Sequence, residues 1–171
     1  DEESGKQYLI PARVVINATG IFADQIRRMA DASVEPMVVH SQGIHLVFAG
    51  SFLSGDSAIV VPHTSDGRVL FAIPWHGHTL VGTTDTPIPG ALYDPLPLAE
   101  AINFILQTAA KYLSRPPSRR DILSVYVGIR PLIKPHPKSS AKTSSLSRDH
   151  TIHMDPCGLL TIAGGKWTTY R

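Results

Sequence analysis

Cysteine is close to absent from this sequence. Cys157 is the single one, so no internal disulfide can form, which agrees with a reducing compartment. Charge is sparse too: charged residues make up 18% and hydrophobic ones 43% of the 171 residues. That balance excludes a disordered polyelectrolyte and supplies a core for about one domain. Neither sign dominates, since sixteen Lys and Arg face fourteen Asp and Glu for a formal charge of +2. Such a surface has no general drive toward nucleic acid or anionic lipid, although a pI near 8.8 leaves room for a local basic patch. No apolar run reaches the ~18 residues that a membrane-spanning helix needs. Internal repeats are missing, as are Gly-x-Gly-x-x-Gly, a Walker loop, Gly-x-Ser-x-Gly and Cys-x-x-Cys.

What is present begins with punctuation. Gly and Pro together number 27, scattered through the chain, so many turns separate short elements. Val14-Val15-Ile16 is a β-branched run that predicts a buried, parallel strand. Ala18-Thr19-Gly20 turns it into a short helix over Phe22 to Ala30. Leu159 to Ala163 predicts a second such strand, entering Gly164-Gly165-Lys166-Trp167-Thr168-Thr169-Tyr170-Arg171, and a helix is expected after that turn. Strand, small-residue turn and helix is the grammar of an α/β nucleotide-binding layer. Between these ends the pattern changes. Residues 36–48, 58–61, 69–74, 79–84 and 122–133 read as strands that pair antiparallel. One helix interrupts them, over 98–113, with Ala101, Ile102, Ile105, Leu106 and Ala109 on one face. The Ser-, Lys- and Pro-rich stretch 134–147 reads as a mobile loop. The fold class expected is α+β: an antiparallel sheet with helices, flanked by partial strands of a nucleotide-binding α/β layer.

Several residues could carry chemistry. The small residues of Asn17-Ala18-Thr19-Gly20 let a phosphate, ribityl chain or ring approach the backbone, or simply make a tight strand-to-helix turn. Gly164-Gly165-Lys166 with Thr168 follows the same logic. Arg130 lies in the apolar segment Gly128-Ile129-Arg130-Pro131-Leu132 and must be paired there. Arg148 begins the strand across the loop. Two converging guanidinium groups would clamp a dianionic phosphate or a carboxylate, or each would pair with an internal carboxylate such as Asp85 or Asp149. His45, mid-strand in Gln42-Gly43-Ile44-His45, faces a pocket or is a satisfied structural histidine. Gly82-Thr83-Thr84-Asp85-Thr86-Pro87 reads as an architectural turn. His76-Gly77-His78 is the densest histidine pair, without a neighbouring acidic or cysteine ligand, so no metal is expected.

Taken in order, Asn17 to Gly20, Gly82 to Pro87, Gly128 to Leu132, Ser147 to His150 and Gly164 to Arg171 resemble FAD-dependent glycerol-3-phosphate dehydrogenases. The resemblance covers nearly the whole chain from Val14 on, and the Gly-Gly-Lys-x-Thr-Thr-Tyr-Arg and Gly-Ile-Arg-Pro-Leu segments are its most specific parts. It implies an internal piece of a longer enzyme that lacks the amino-terminal dinucleotide-binding motif and is inactive alone. Residues 1–34 would then belong to the FAD-binding layer, 35–155 to a β-rich substrate domain, and 156–171 to the returning strand and flavin-contacting turn. It further implies that Ala18, Thr19, Gly20, Gly164, Gly165, Lys166 and Thr168 approach the FAD. Arg130, Arg148, Lys166 and His45 would bind glycerol 3-phosphate, with His45 and Arg130 at the reacting end. The reaction implied is hydride transfer from C2 of sn-glycerol 3-phosphate to the flavin, giving dihydroxyacetone phosphate, with a quinone taking the electrons. The location implied is cytoplasmic, peripheral on the inner face of the membrane, and a homodimer is allowed. Phe22 stands where the family often has Trp. The competing expectations are a glycerol-3-phosphate oxidase, an amino-acid-oxidase-like flavoenzyme and, for the chain alone, a non-catalytic module.

Overall fold

In the computed structural model the described residues are 1, 3–64, 67–134, 143, 146 and 148–169. The segment expected to be a mobile loop lies mostly outside them. Two sheets organise the chain. The smaller has three strands: β1 (Val15–Asn17) pairs parallel with β9 (Leu159–Gly164), which pairs antiparallel with β8 (His150–Met154). The turn after β1 tightens through a 3-10 turn at Gly20–Phe22 into α1 (Ala23–Ala30), as the Ala-Thr-Gly punctuation predicts. β1 is a buried strand only in part. Val15 and Ile16 are exposed, and Asn17 alone is enclosed, because β1 sits at the edge of its sheet with a partner on one side.

The larger sheet is antiparallel. β2 (Val38–Ala49) is its spine, paired along its length with β7 (Ser124–Ile133) on one side. On the other side lie β5 (His78–Gly82) and β6 (Thr86–Ile88) end to end. β4 (Leu70–Trp75) and β3 (Ile59–Val61) continue outward from β5. β4 and β5 are joined by His76-Gly77, both at positive φ (48° and 74°), a two-residue hairpin turn with glycine at its second position. The metal-like histidine pair is therefore a hairpin tip, with His78 Nδ1 2.8 Å from the His76 carbonyl oxygen.

Period-two alternation gives the large sheet two different faces. Ile44, Leu46, Phe48, Leu70, Ala72 and Val81 are buried on the back against α2 (Ala99–Ala109), which contributes Ala101, Ile105 and Ala109. The front carries Gly43, His45, Phe71, Ile73, Trp75, Gly82, Tyr126, Gly128 and Arg130 by register. α2 is shorter than its apolar pattern: beyond Ala109 the chain tightens, with the Lys111 and Tyr112 amides donating to Thr108 and Ala109 carbonyls. Leu113 remains buried in the same cluster. A second small cluster, Ala23, Val38, Ile133 and Ala163, joins the two sheets. Among the described residues no helix is long and apolar enough to cross a membrane.

Candidate functional site

The site is built where β5 stops following β2. His45 faces Gly82 and Gln42 faces Thr86, so Thr83, Thr84 and Asp85 span what two β2 residues span. This is a bulge of one residue, a device that re-aims side chains beside a ladder. Thr84 repairs the ladder, its Oγ1 accepting from the Ile44 amide at 3.1 Å. What sequence reasoning takes for a turn is thus a bulge followed by a further strand, β6. Pro87 donates no backbone hydrogen bond, and it masks that strand in the sequence.

Arg130 reaches the bulge from β7. Its Nη1 donates to the Thr84 carbonyl oxygen at 3.0 Å and its Nη2 to Thr83 Oγ1 at 2.8 Å. Asp85 stands behind, 3.9 Å from Nη1. That carboxylate is engaged elsewhere: it accepts from Ser41 Oγ and, at 3.2 Å, from Thr143 Oγ1. Arg130 is therefore mainly oriented by neutral acceptors, and its charge is only partly offset. Burial is the largest effect on it and holds its pKa below the usual guanidinium value; Asp85 opposes this, and the charges of Arg148 and Arg68 reinforce it.

Those three arginines belong to one cavity. A volume of about 280 Å³ is lined by Arg68, Arg130, Arg148, Thr83, Thr84 and Asp85, with Gly67, Val69 and Phe71. Sequence reasoning finds Arg130 and Arg148 and misses Arg68. Arg68 follows a turn in which its amide donates to Thr64 Oγ1 at 3.1 Å, and no local sequence signal marks it for the cavity. Arg148 is fixed by β8, whose His150 pairs with Gly164.

His45 opens onto an adjoining hollow of about 290 Å³, shared with Gly43, Tyr126, Gly128, Ile129 and Arg130. Burial foremost, and then the Arg130 charge, lower its pKa below the ordinary histidine value, so the imidazole is neutral at neutral pH. Tyr126 lies opposite His45 on β7 and meets Trp75 edge-on, ring centroids 5.9 Å apart.

The remaining expected residues gather at the small sheet. β1 and β9 run parallel, so the turns after them lie side by side, at the strand ends where α/β sheets bind ligands. Buried Asn17 shapes the first turn: its Nδ2 donates to the Ala23 carbonyl oxygen at 2.9 Å, and its Oδ1 accepts from Thr19 Oγ1 at 2.7 Å. Ala18 and Thr19 are exposed beside Gly20, whose φ is 60°. Gly164 and Gly165 hold φ of 79° and 83°, conformations open to glycine. Gly164 also lies so close to Asp149 that a Cβ would meet its carbonyl oxygen at 2.6 Å. This seats the second turn next to Arg148. Lys166 and Thr168 are exposed, Thr168 within a 3-10 turn at Trp167–Thr169, and neither lines the two cavities just described. Among the described residues no group of three His, Cys, Asp or Glu could hold a metal ion.

Comparison with known proteins gives this geometry its context. The chain is similar to the mitochondrial glycerol-3-phosphate dehydrogenases of Mus musculus, 45% identical over 173 residues, and Schizosaccharomyces pombe, 42% identical over 187. All of the chain is covered in both, but only 23% and 29% of those relatives. Among solved structures it matches the glycerol-3-phosphate dehydrogenase from Bacillus halodurans complexed with FAD, with a TM-score of 0.80 and 32% identity, over 100% of this chain and 32% of that one. An iminodiacetate oxidase from Chelativorans shares the fold at a TM-score of 0.57 and 18% identity, over 91% of this chain and 37% of that one. The family model for FAD dependent oxidoreductases matches residues 1–171, and the chain belongs to that family.

Proposed function

We propose that the protein carrying this chain oxidises sn-glycerol 3-phosphate to dihydroxyacetone phosphate, and that the chain supplies the substrate pocket and part of the flavin seat. The observation that carries this reading is the cavity that Arg68, Arg130 and Arg148 line together with Asp85. Converging guanidinium groups suit a dianionic phosphate, whereas a lone substrate carboxylate needs one arginine. The Arg130 side chain runs back along the sheet to lie over Gly43, ~7 Å along the strand from His45. That spacing fits a three-carbon chain with phosphate at one end and a reacting hydroxyl at the other. Arg130, pinned by Thr83 and Thr84, orients the phosphate. Neutral His45 takes the C2 hydroxyl proton on a ring nitrogen as the carbon is oxidised.

The turn geometry is compatible with FAD. Gly20 has open space where a side chain would be, Lys166 is exposed, and turns of this kind can offer backbone N–H groups to a ligand. Ala18, Thr19, Gly20, Gly164, Gly165, Lys166 and Thr168 would hold it. FAD, when bound, supplies the acceptor for the hydride leaving C2 and passes the electrons to a quinone. In this reading residues 1–34 and 156–171 form part of the flavin-binding layer and 35–155 the substrate domain. The whole protein then works peripherally at a membrane, alone or as a homodimer.

The test is dye-linked dehydrogenase activity of the full-length protein. Arg130→Ala should lower kcat/KM for glycerol 3-phosphate ~10–100-fold, from the loss of hydrogen bonds to a charged group. Normal turnover by that variant would sink the assignment.

A further inference from the structure

We propose that Gly43 and Gly82 are positioning residues of the site: the space left by their absent side chains is the seat of the Arg130 guanidinium and of the His45 imidazole. The inference rests on the reading of His45 and Arg130 as substrate-pocket residues. Neither glycine is among those with positive φ, so the left-handed backbone that favours glycine is not what places them here. Space does. A Cβ on Gly43 would overlap Nη1 and Nη2 of Arg130 and come within 2.6 Å of its Cζ. A Cβ on Gly82 would overlap Cδ2 of His45 and approach its Cγ at 2.7 Å and its Nε2 at 2.8 Å.

The register explains both contacts. Gly82 is the direct cross-strand partner of His45. Gly43 faces Gly128, two residues from Arg130 on β7, a diagonal neighbour within reach of a long side chain. A strand glycine is normally a cost, because it packs nothing and loses more entropy on folding. Here the empty positions let two polar side chains lie flat on the sheet instead of rising into the cavity.

Other glycines mark the difference. At Gly50 a Cβ would strike the Gly77 backbone carbonyl oxygen at 2.5 Å, so the main chain would have to move. At Gly90 a Cβ would meet nothing within 4 Å. At Gly43 and Gly82 the obstacles are side-chain atoms, which rotate more cheaply than a strand shifts. Substitution should therefore leave the fold and evict the site group.

Gly43→Ala and Gly82→Ala in the full-length protein test this, with Gly90→Ala as control and Arg130→Ala and His45→Asn as references. Gly43→Ala should raise KM for glycerol 3-phosphate and the inhibition constant of inorganic phosphate ~10–100-fold, with kcat changed by less than ~3-fold. Gly82→Ala should lower kcat ~10–100-fold and leave phosphate inhibition unchanged. It should also raise the acid limb of kcat/KM toward ~6.5, the value of a solvated imidazole. The charged or titratable groups facing His45 are Arg130 and Tyr126, both on β7, and neither is altered in that variant. Melting temperatures should stay within ~2 °C of the parent. Parent-like KM, kcat and pH profile in both variants overturn the inference, as does a fall of ~10 °C or more, because the strand would then have yielded. If Arg130→Ala and His45→Asn lose activity while both glycine variants keep it, the seating idea fails alone. If those references are also fully active, the functional reading fails and takes the seating with it.

Discussion

His45 is held neutral before any ligand arrives. Burial removes the solvation that an imidazolium needs, and the Arg130 charge adds repulsion. The consequence for stability has a definite sign. An unfolded His45 binds a proton below about pH 6.5, and the folded one resists it, so this residue withdraws stability as pH falls through that value. Replacing His45 by Asn should flatten the corresponding part of the melting-temperature profile between about pH 7 and 5, and an unchanged slope would contradict the assignment. Arg130 is a question of shape as well as charge. Its two donors reach the Thr84 carbonyl oxygen and Thr83 Oγ1 together, which a planar fork does and an ammonium does not. Arg130→Lys should therefore raise KM for the phosphate substrate about tenfold despite conserving charge, and steady-state kinetics would read it. At this scale much of the site is legible in sequence, because an arginine inside an apolar strand announces a partner. Arg68 is not legible that way: it sits in a turn, where arginines are ordinary, and only folding brings it to Arg130.

Elements are tied together by buried charge. Arg27 of α1 donates through Nε and Nη2 to Asp155, at 3.0 and 2.8 Å, and through Nη1 to Asp24 at 3.0 Å and the Glu35 carbonyl oxygen at 2.9 Å. Asp24 in turn accepts from the Met37 and Val38 amides, at 3.1 and 2.9 Å. One arginine thus joins α1, the start of β2 and the turn after β8. Arg27→Met leaves two buried carboxylates without their cation and should cost about 3–5 kcal/mol, or roughly 10 °C in melting temperature for a chain of this size. The Arg27 hydrogen bond is the chief cause that holds the Asp155 pKa below the ordinary carboxylate value. The stability it contributes is present above about pH 4 and lost as pH falls further. Arg27→Met should lack that step in an acid titration. Helix and strand periods disclose α2 and β2 from sequence alone. They do not disclose the bulge at 83–85, since a single extra residue shifts register without changing composition, nor the Arg27 network, whose partners stand 128 residues apart.

Across the whole molecule the charge is nearly balanced, at +2, yet its distribution is not. The cavity beside the bulge brings Arg68, Arg130 and Arg148 together with Asp85. It is a place where folding gathers arginines that lie far apart in the sequence. Its walls come from β4, the bulge, β7 and the residue that leads into β8, all within the present chain, whereas the turns after β1 and β9 sit on a small sheet with exposed apolar Val15, Ile152 and Met154. Anion binding should consequently be detectable without FAD. With a Kd near ~1 mM, 10 mM glycerol 3-phosphate would stabilise the chain by about 1.4 kcal/mol, a rise of roughly 3–5 °C in melting temperature. Inorganic phosphate should give a similar rise and glycerol none, since the three arginines recognise the dianion and not the polyol. Raising NaCl from ~0.05 to ~0.5 M should weaken the shift less than at an open surface, because a partly enclosed cavity is screened less. Arg148→Ala should remove most of it. If glycerol alone stabilised the chain as well as its phosphate does, the cavity would be reading hydroxyl groups, and the arginines would be internal ties between β7, the bulge and β8.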